Sequence, residues 1–185
     1  MPNWCWNHLE ISGDEKQLHK FVEKSTSAHK ETKFSFEGTL PRGDRKDWYN
    51  WSVENWGTKW DANEPYICHN DIDYFAVSFQ SAWSPPINWI NNILKDFPGL
   101  KFTLEYEETG MCFGGILTAQ HDKIWDDDHW DLDEASECCE GEVNWEHEEF
   151  EHQCLICGDE CEIISINASQ VRPAQIKINE NKKDR

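Results

Sequence analysis

Five cysteines fall within residues 138–161, at Cys138, Cys139, Cys154, Cys157 and Cys161, in a stretch dense with carboxylates. Cys154-Leu-Ile-Cys157 has the spacing of a zinc knuckle, in which two thiolates two residues apart hold one side of a tetrahedral Zn²⁺. Cys161 follows four residues later as a third ligand, and Cys138, Cys139, His147 and His152 offer a fourth. A zinc ribbon has a second knuckle. Its counterpart here is the adjacent pair Cys138-Cys139, which is not expected to grip a single metal in the usual loop geometry. Three readings stay open: a structural zinc site, free or buried thiols, and disulfide or redox chemistry. The last is disfavoured in its thioredoxin-like form, because no strand-then-helix setting precedes the motif and neighbouring carboxylates raise a thiol's pKa. Zinc is preferred on energetic grounds. The local apolar residues are only Leu132, Val143, Trp145, Phe150, Leu155 and Ile156, and metal binding supplies the folding free energy that so charged a segment lacks.

Residues 122–162 hold seventeen Asp or Glu against one Lys, and so carry −16 of the chain's formal −19. The acidity is local, and the rest of the chain is nearly balanced. Carboxylates spread over a folded surface can imitate the phosphate array that basic clefts recognise. The expected partner is therefore a protein with a basic surface. Asp126, Asp127, Asp128, Asp131, Asp133 and Glu134 would supply the charge, and Trp130 and Trp145 the anchoring contacts. The competing reading is a solvated acidic loop that only aids solubility. Direct binding to nucleic acid or to an anionic membrane is not expected, since both demand a basic surface. An EF-hand is excluded because neither its turn glycine nor its terminal glutamate is in register. His147 and His152, among Glu146, Glu148, Glu149 and Glu151, read first as a solvated surface and second as metal ligands. No nucleophilic triad or phosphate loop is visible, so a non-enzymatic role is expected; the alternatives are a small zinc-dependent enzyme and a structural interaction module.

The elements that must position these groups precede them. Residues 4–11 alternate as a strand, and Ser12-Gly-Asp-Glu15 opens a helix carrying Leu18, Phe21 and Val22 on one face. Phe34, Phe36 and Gly38 suggest a second strand running to Leu40. Residues 48–60 are the densest aromatic stretch, with Trp48, Tyr49, Trp51, Trp56 and Trp60; the favoured reading is core packing, the alternative an aromatic binding surface. A strand at 74–79 follows, then a helix begun by Ser84-Pro-Pro86 with an apolar stripe at Ile87, Ile90, Ile93, Leu94 and Phe97. Strands at 102–106 and 111–117 complete the pattern, and Gly114-Gly115 suggests a bulge or bend. The order is the split β-α-β pattern of an α+β, ferredoxin-like domain, an antiparallel sheet with two helices on one face. The domain is expected at 1–119, an acidic, zinc-stabilised extension at 120–178 and a disordered tail at 179–185. With no apolar run near the roughly 18 residues of a membrane helix, a soluble, cytoplasmic protein is expected.

Several strings resemble the Api92-like family, whose plasmid and phage members include the YubB proteins: Met1-Pro-Asn-Trp-Cys5 with Asn7, Leu9 and Gly13; Glu54-Asn-Trp-Gly-Thr-Lys-Trp-Asp-Ala62; Ala82-Trp-Ser-Pro-Pro86; and Tyr106-Glu-Glu108 with Gly110 and Phe113-Gly114. The resemblance covers roughly residues 1–119. It implies a ferredoxin-like fold and a mobile-element origin, which makes the expected basic partner a host protein, and it carries over no catalytic residue. The segment after His121 departs from the family's pattern, which places function specific to this chain there.

Overall fold

The computed structural model describes residues 2–27, 34–121, 123–140, 142–145, 152–157 and 159–171. The chain divides into two units, Met1–Trp130 and Asp131–Arg185. Among the described residues no helix is long and apolar enough to cross a membrane.

In the first unit, β1 (Trp4–Gly13) leads to α1 (Glu15–Ser27), then α2 (Trp48–Trp56), β2 (Asn63–Asn70), β3 (Tyr74–Ala82), α3 (Ile87–Ile93), β4 (Leu100–Glu108) and β5 (Phe113–Gln120). β6 (Lys123–Ser136) begins here. The sheet order is β2-β3-β1-β4-β5-β6. β1 lies antiparallel between β3 and β4, and β3 lies between β2 and β1, so each helical crossover is split by an intervening strand. This is the ferredoxin-like arrangement, extended beyond β4. Alternation on β1 buries Cys5, Asn7, Leu9 and Ile11, and on β4 Leu100, Phe102, Leu104 and Tyr106.

Three helices accompany the sheet rather than the two expected. The additional one is α2, made by the aromatic stretch itself and closed by Gly57, whose φ of 83° places it in the left-handed region that a non-glycine residue adopts at a cost. Burial decides the roles of the aromatics. Trp56 and Trp89 are wholly buried, and each spends its indole N–H inside the core: Trp56 Nε1 donates to the Leu40 carbonyl at 3.0 Å and Trp89 Nε1 to Thr39 Oγ1 at 2.9 Å. Phe21, Phe34, Phe36, Phe79 and Phe97 pack around them.

The strand expected at Phe34–Leu40 is absent. Phe36–Gly38 is a turn of 3₁₀ helix, because side chains capture the backbone groups a ladder would use, one of them local and one remote in sequence. Glu37 N donates to Ser35 Oγ at 3.2 Å, and Phe36 N donates to Asp61 Oδ1 at 2.6 Å. Ser84 likewise does not cap α3; its hydroxyl donates to the Gly57 carbonyl at 2.6 Å.

Gly114-Gly115 makes no bulge, since β4 and β5 keep one register from Lys101↔Gln120 to Glu108↔Phe113. The pair makes room instead. A methyl group at Gly115 would collide with the Tyr106 phenol, and one at Gly114 would come within 2.8 Å of Trp130 Nε1.

In the second unit, Leu132–Ser136 at the end of β6 pairs antiparallel with β9 (Ile163–Asn167). The two-residue strands β7 (Val143–Asn144) and β8 (Gln153–Cys154) form a separate ladder. Its buried apolar groups among the described residues are Leu132, Ala135 and Cys154. The tail expected at 179–185 lies outside the described residues.

Candidate metal centre and acidic strand

The end of β6 runs into a turn at 137–139, and β8 runs into a turn at 155–157. Backbone hydrogen bonds bring the two turns together. Glu137 N donates to the Glu162 carbonyl at 3.0 Å, Leu155 N to Glu142 at 2.9 Å and Cys154 N to Asp159 at 3.0 Å. The result is a cluster of four thiols, Cys138, Cys139, Cys154 and Cys157, whose sulfur atoms all lie within 4.8 Å of one another. Cys138 Sγ and Cys157 Sγ are 3.6 Å apart. A tetrahedral Zn–S₄ centre with bonds of about 2.3 Å has S···S edges of about 3.8 Å, so the donor set and its spacing fit a metal ion of that kind.

Without a metal the cluster favours protonated thiols. Burial, and then the adjoining sulfurs of Cys154, Cys157 and Cys138, push Cys139 up to about 12. Cys157 is also raised on balance: a backbone hydrogen bond at Asp159 opposes the rise, but Cys154 and burial outweigh it. Four thiolates this close repel one another, and a divalent cation at their centre removes that repulsion.

The expected ligand set needs correction at two points. The adjacent pair Cys138-Cys139 does contribute both of its thiols, because it occupies a turn rather than a strand, where successive side chains would point to opposite faces. Cys161 stands outside the cluster: its backbone N–H and its Sγ both engage the His152 carbonyl, at 3.1 and 3.7 Å. The His152 ring stands edge-on to Trp145, with centroids 4.9 Å apart, and it too is outside the set. His147 lies outside the described residues. No sequence pattern announces a turn that folds back onto a knuckle. The one available signal was a Cys-Cys pair placed directly after an alternating strand.

The acidic residues 123–130 belong to the first unit's sheet rather than to a separate extension, because β6 takes the free edge of β5. Along β6, Asp126, Asp127, Asp128, Asp131, Asp133 and Glu134 are all exposed. Their charge is felt nearby: burial first, and then the Asp127 and Asp128 carboxylates, push the Tyr106 phenol up to about 12. Tyr106 Oη meets His129 Nδ1 at 3.3 Å. The aromatic residues of the segment divide by role. Trp130 is half-buried against Gly114, so it packs within the fold. Trp145 is 49% exposed and Trp125 61%.

An α+β, ferredoxin-like domain followed by a four-thiol cluster is the class of protein that these features define. Residues 55–157 match the family described as the ferredoxin-like domain in Api92-like protein; the match spans more than half of the chain, which belongs to that family. It reaches past Ala119 and takes in the acidic strand and the four cysteines. The crystal structure of a protein api92 from Yersinia pseudotuberculosis has a similar fold, with a TM-score of 0.51 and 8% sequence identity over 70% of this chain and 98% of that one. At such low identity the likeness speaks to the fold alone. No curated protein matches the chain.

Proposed function

We propose that the chain is a non-enzymatic accessory protein of a phage or plasmid, acting in the cytoplasm of a bacterial host. It binds and inhibits a host protein with a basic surface in the manner of a DNA mimic, and zinc on Cys138, Cys139, Cys154 and Cys157 holds its C-terminal segment in shape. The observation that carries this reading is the exposure of six carboxylates along one ordered strand, β6, rather than in a loop. At about 3.3 Å per residue, positions 126–134 span a contour of roughly 26 Å, and alternation divides the six carboxylates between two faces, about one charge per 8–9 Å on each. One strand of DNA carries a charge about every 3.4 Å of its axis. A cleft that attracts a phosphate strand meets a row of carboxylates here, at a lower density than DNA presents, and Trp125 adds exposed apolar contact.

The zinc assignment rests on the all-thiol donor set. Four protein thiolates leave no position for water, which is the pattern of structural sites, whereas a zinc-dependent enzyme needs an open one. The test is affinity capture of host proteins on the full chain, followed by dissociation constants for the captured protein at low and moderate salt. Asp126, Asp127 and Asp128 changed together to Asn should weaken binding at least tenfold and flatten its salt dependence. Affinity indifferent to that neutralisation refutes the reading.

A further inference from the structure

Three of the strings that resemble the Api92-like family converge on the first unit, in a place that the acidic strand and the cysteines do not explain. Trp60 lies 5.9 Å from Trp4 and stacks on Trp83 at 6.2 Å and 27° between planes. The joint is closely bonded. Thr58 Oγ1 donates to the Ala82 carbonyl at 3.0 Å and accepts from Ala82 N at 2.9 Å, and Trp83 N donates to the Asn3 carbonyl at 3.0 Å. These contacts hold Trp83 at φ 67°, a conformation that a bulky side chain rarely adopts. Such strain persists only where surrounding structure over-determines it, and it clusters at binding sites. Here it is not spent on burial, for Trp83 remains 37% exposed.

Cations lie on this aromatic surface. Lys59 Nζ stands 4.5 Å from the Trp60 ring, 5.2 Å from Trp83 and 5.7 Å from Tyr49. Beside Trp60 opens a depression of about 410 Å³, lined by Arg42, Gly43, Asp44, Arg45, Trp48 and Trp60. Arg42 is tied into the fold, its Nε 3.5 Å from Glu37 and its Nη1 3.4 Å from Ser52 Oγ. Arg45 is exposed; it lies 5.0 Å from the Trp51 ring and is held through Nε, which donates to the Arg42 carbonyl at 3.0 Å. The volume is within the range of small-ligand sites, roughly 300–1,000 Å³.

We propose that this depression binds a nucleobase-bearing phosphate, with the base stacked on Trp48 and the phosphate taken by Arg45. A ligand must satisfy both halves of the site. An acidic peptide would pair Arg45 but leave the exposed Trp48 indole in water, and an apolar peptide would cover the indole but bury the Arg45 cation without a counter-charge. A planar aromatic group joined to an anion meets both demands. Asp44 is the one carboxylate in the lining. The ligand class is the free nucleotide, because a depression of about 410 Å³ has room for a single base and its phosphate.

The test uses the full chain, with isothermal calorimetry and tryptophan fluorescence against adenosine monophosphate. Adenosine and inorganic phosphate serve as the two halves, and a short single-stranded oligonucleotide as the polymeric arm. Saturable binding with quenched fluorescence is expected, at least about tenfold weaker for either half alone. Arg45→Glu and Trp48→Ala, both at exposed positions, should each weaken it by about tenfold or more, while Trp48→Phe retains it. The proposal is overturned by any of three results: no saturable binding at millimolar nucleotide, binding by the oligonucleotide alone, or affinity unchanged in both Arg45→Glu and Trp48→Ala.

Discussion

Replacing Cys154 with Ser should unfold the second unit and leave the first intact. Cys154 is the wholly buried member of the thiol cluster, so its loss removes a ligand and leaves a hydroxyl among three thiols. The magnitude follows from what else orders the unit. Its buried apolar groups among the described residues are Leu132, Ala135 and Cys154 itself. At about 1.5–3 kcal/mol for burying a large aliphatic side chain, and less for Ala, these contribute no more than about 6 kcal/mol. A structural zinc in a small domain contributes about 10–16 kcal/mol at neutral pH. The metal is thus the larger contribution, by roughly a factor of two. Hydrogen exchange should show amides of β7, β8 and β9 losing protection in Cys154→Ser, or in wild type with a chelator, while β1, β3 and β4 stay protected. Metal analysis should find zinc lost from the Ser variants of Cys138, Cys139, Cys154 and Cys157 and kept in Cys161→Ser. Stoichiometric zinc in Cys154→Ser, or its loss in Cys161→Ser, would refute the coordination. Unchanged protection after chelation would refute the energetic argument.

Zinc affinity should fall steadily as pH is lowered, because every thiol must give up a proton and the Cys139 thiol is pushed up to about 12; competition with a chromophoric chelator over a pH series reads this directly. In the first unit, burial first, opposed by a hydrogen bond with Ser81, pushes Cys5 from its ordinary 9 up to about 12. The unfolded chain therefore releases this proton first, so stability is full below pH 9 and falls as pH rises towards 12, by on the order of 4 kcal/mol in all. Urea titrations above pH 9 should show that slope in wild type and lose it in Cys5→Val. Gly115→Ala should destabilise the β4–β5 ladder by about 1–3 kcal/mol, since its methyl group meets the Tyr106 phenol. A lowered Tm with unchanged metal content is the expected reading.

Periodicity carried the parts of the fold in which one face of an element is buried. β1, α1, β3, α3 and β4 were legible because their apolar residues repeat at 2.0 or 3.6, and that repetition follows from local geometry alone. Residues 34–40 and 48–56 were not. The Phe34 and Phe36 alternation is that of a strand, but Ser35 and the carboxylate of Asp61 capture its backbone groups, and Asp61 is remote in sequence. The aromatic stretch mixes a buried Trp56 with exposed Trp48 and Tyr49, so composition alone did not distinguish core from surface.

The same division holds at the candidate sites. Residue type and spacing determined that the acidic segment carries thiols able to bind a metal, because a Cys-x-x-Cys knuckle and an acidic run are properties of neighbouring residues. Which thiols converge was decided by tertiary structure. Cys138 and Cys157 are nineteen positions apart, and the β7–β8 pairing with the hydrogen bonds from Glu137 to Glu162 and from Leu155 to Glu142 brings their turns together, while Cys161 is held away on the His152 carbonyl. The depression beside Trp60 has the same origin. Arg42 and Arg45 precede α2, Trp48 opens it and Trp60 follows it, and they share a site because folding, rather than spacing, makes them neighbours.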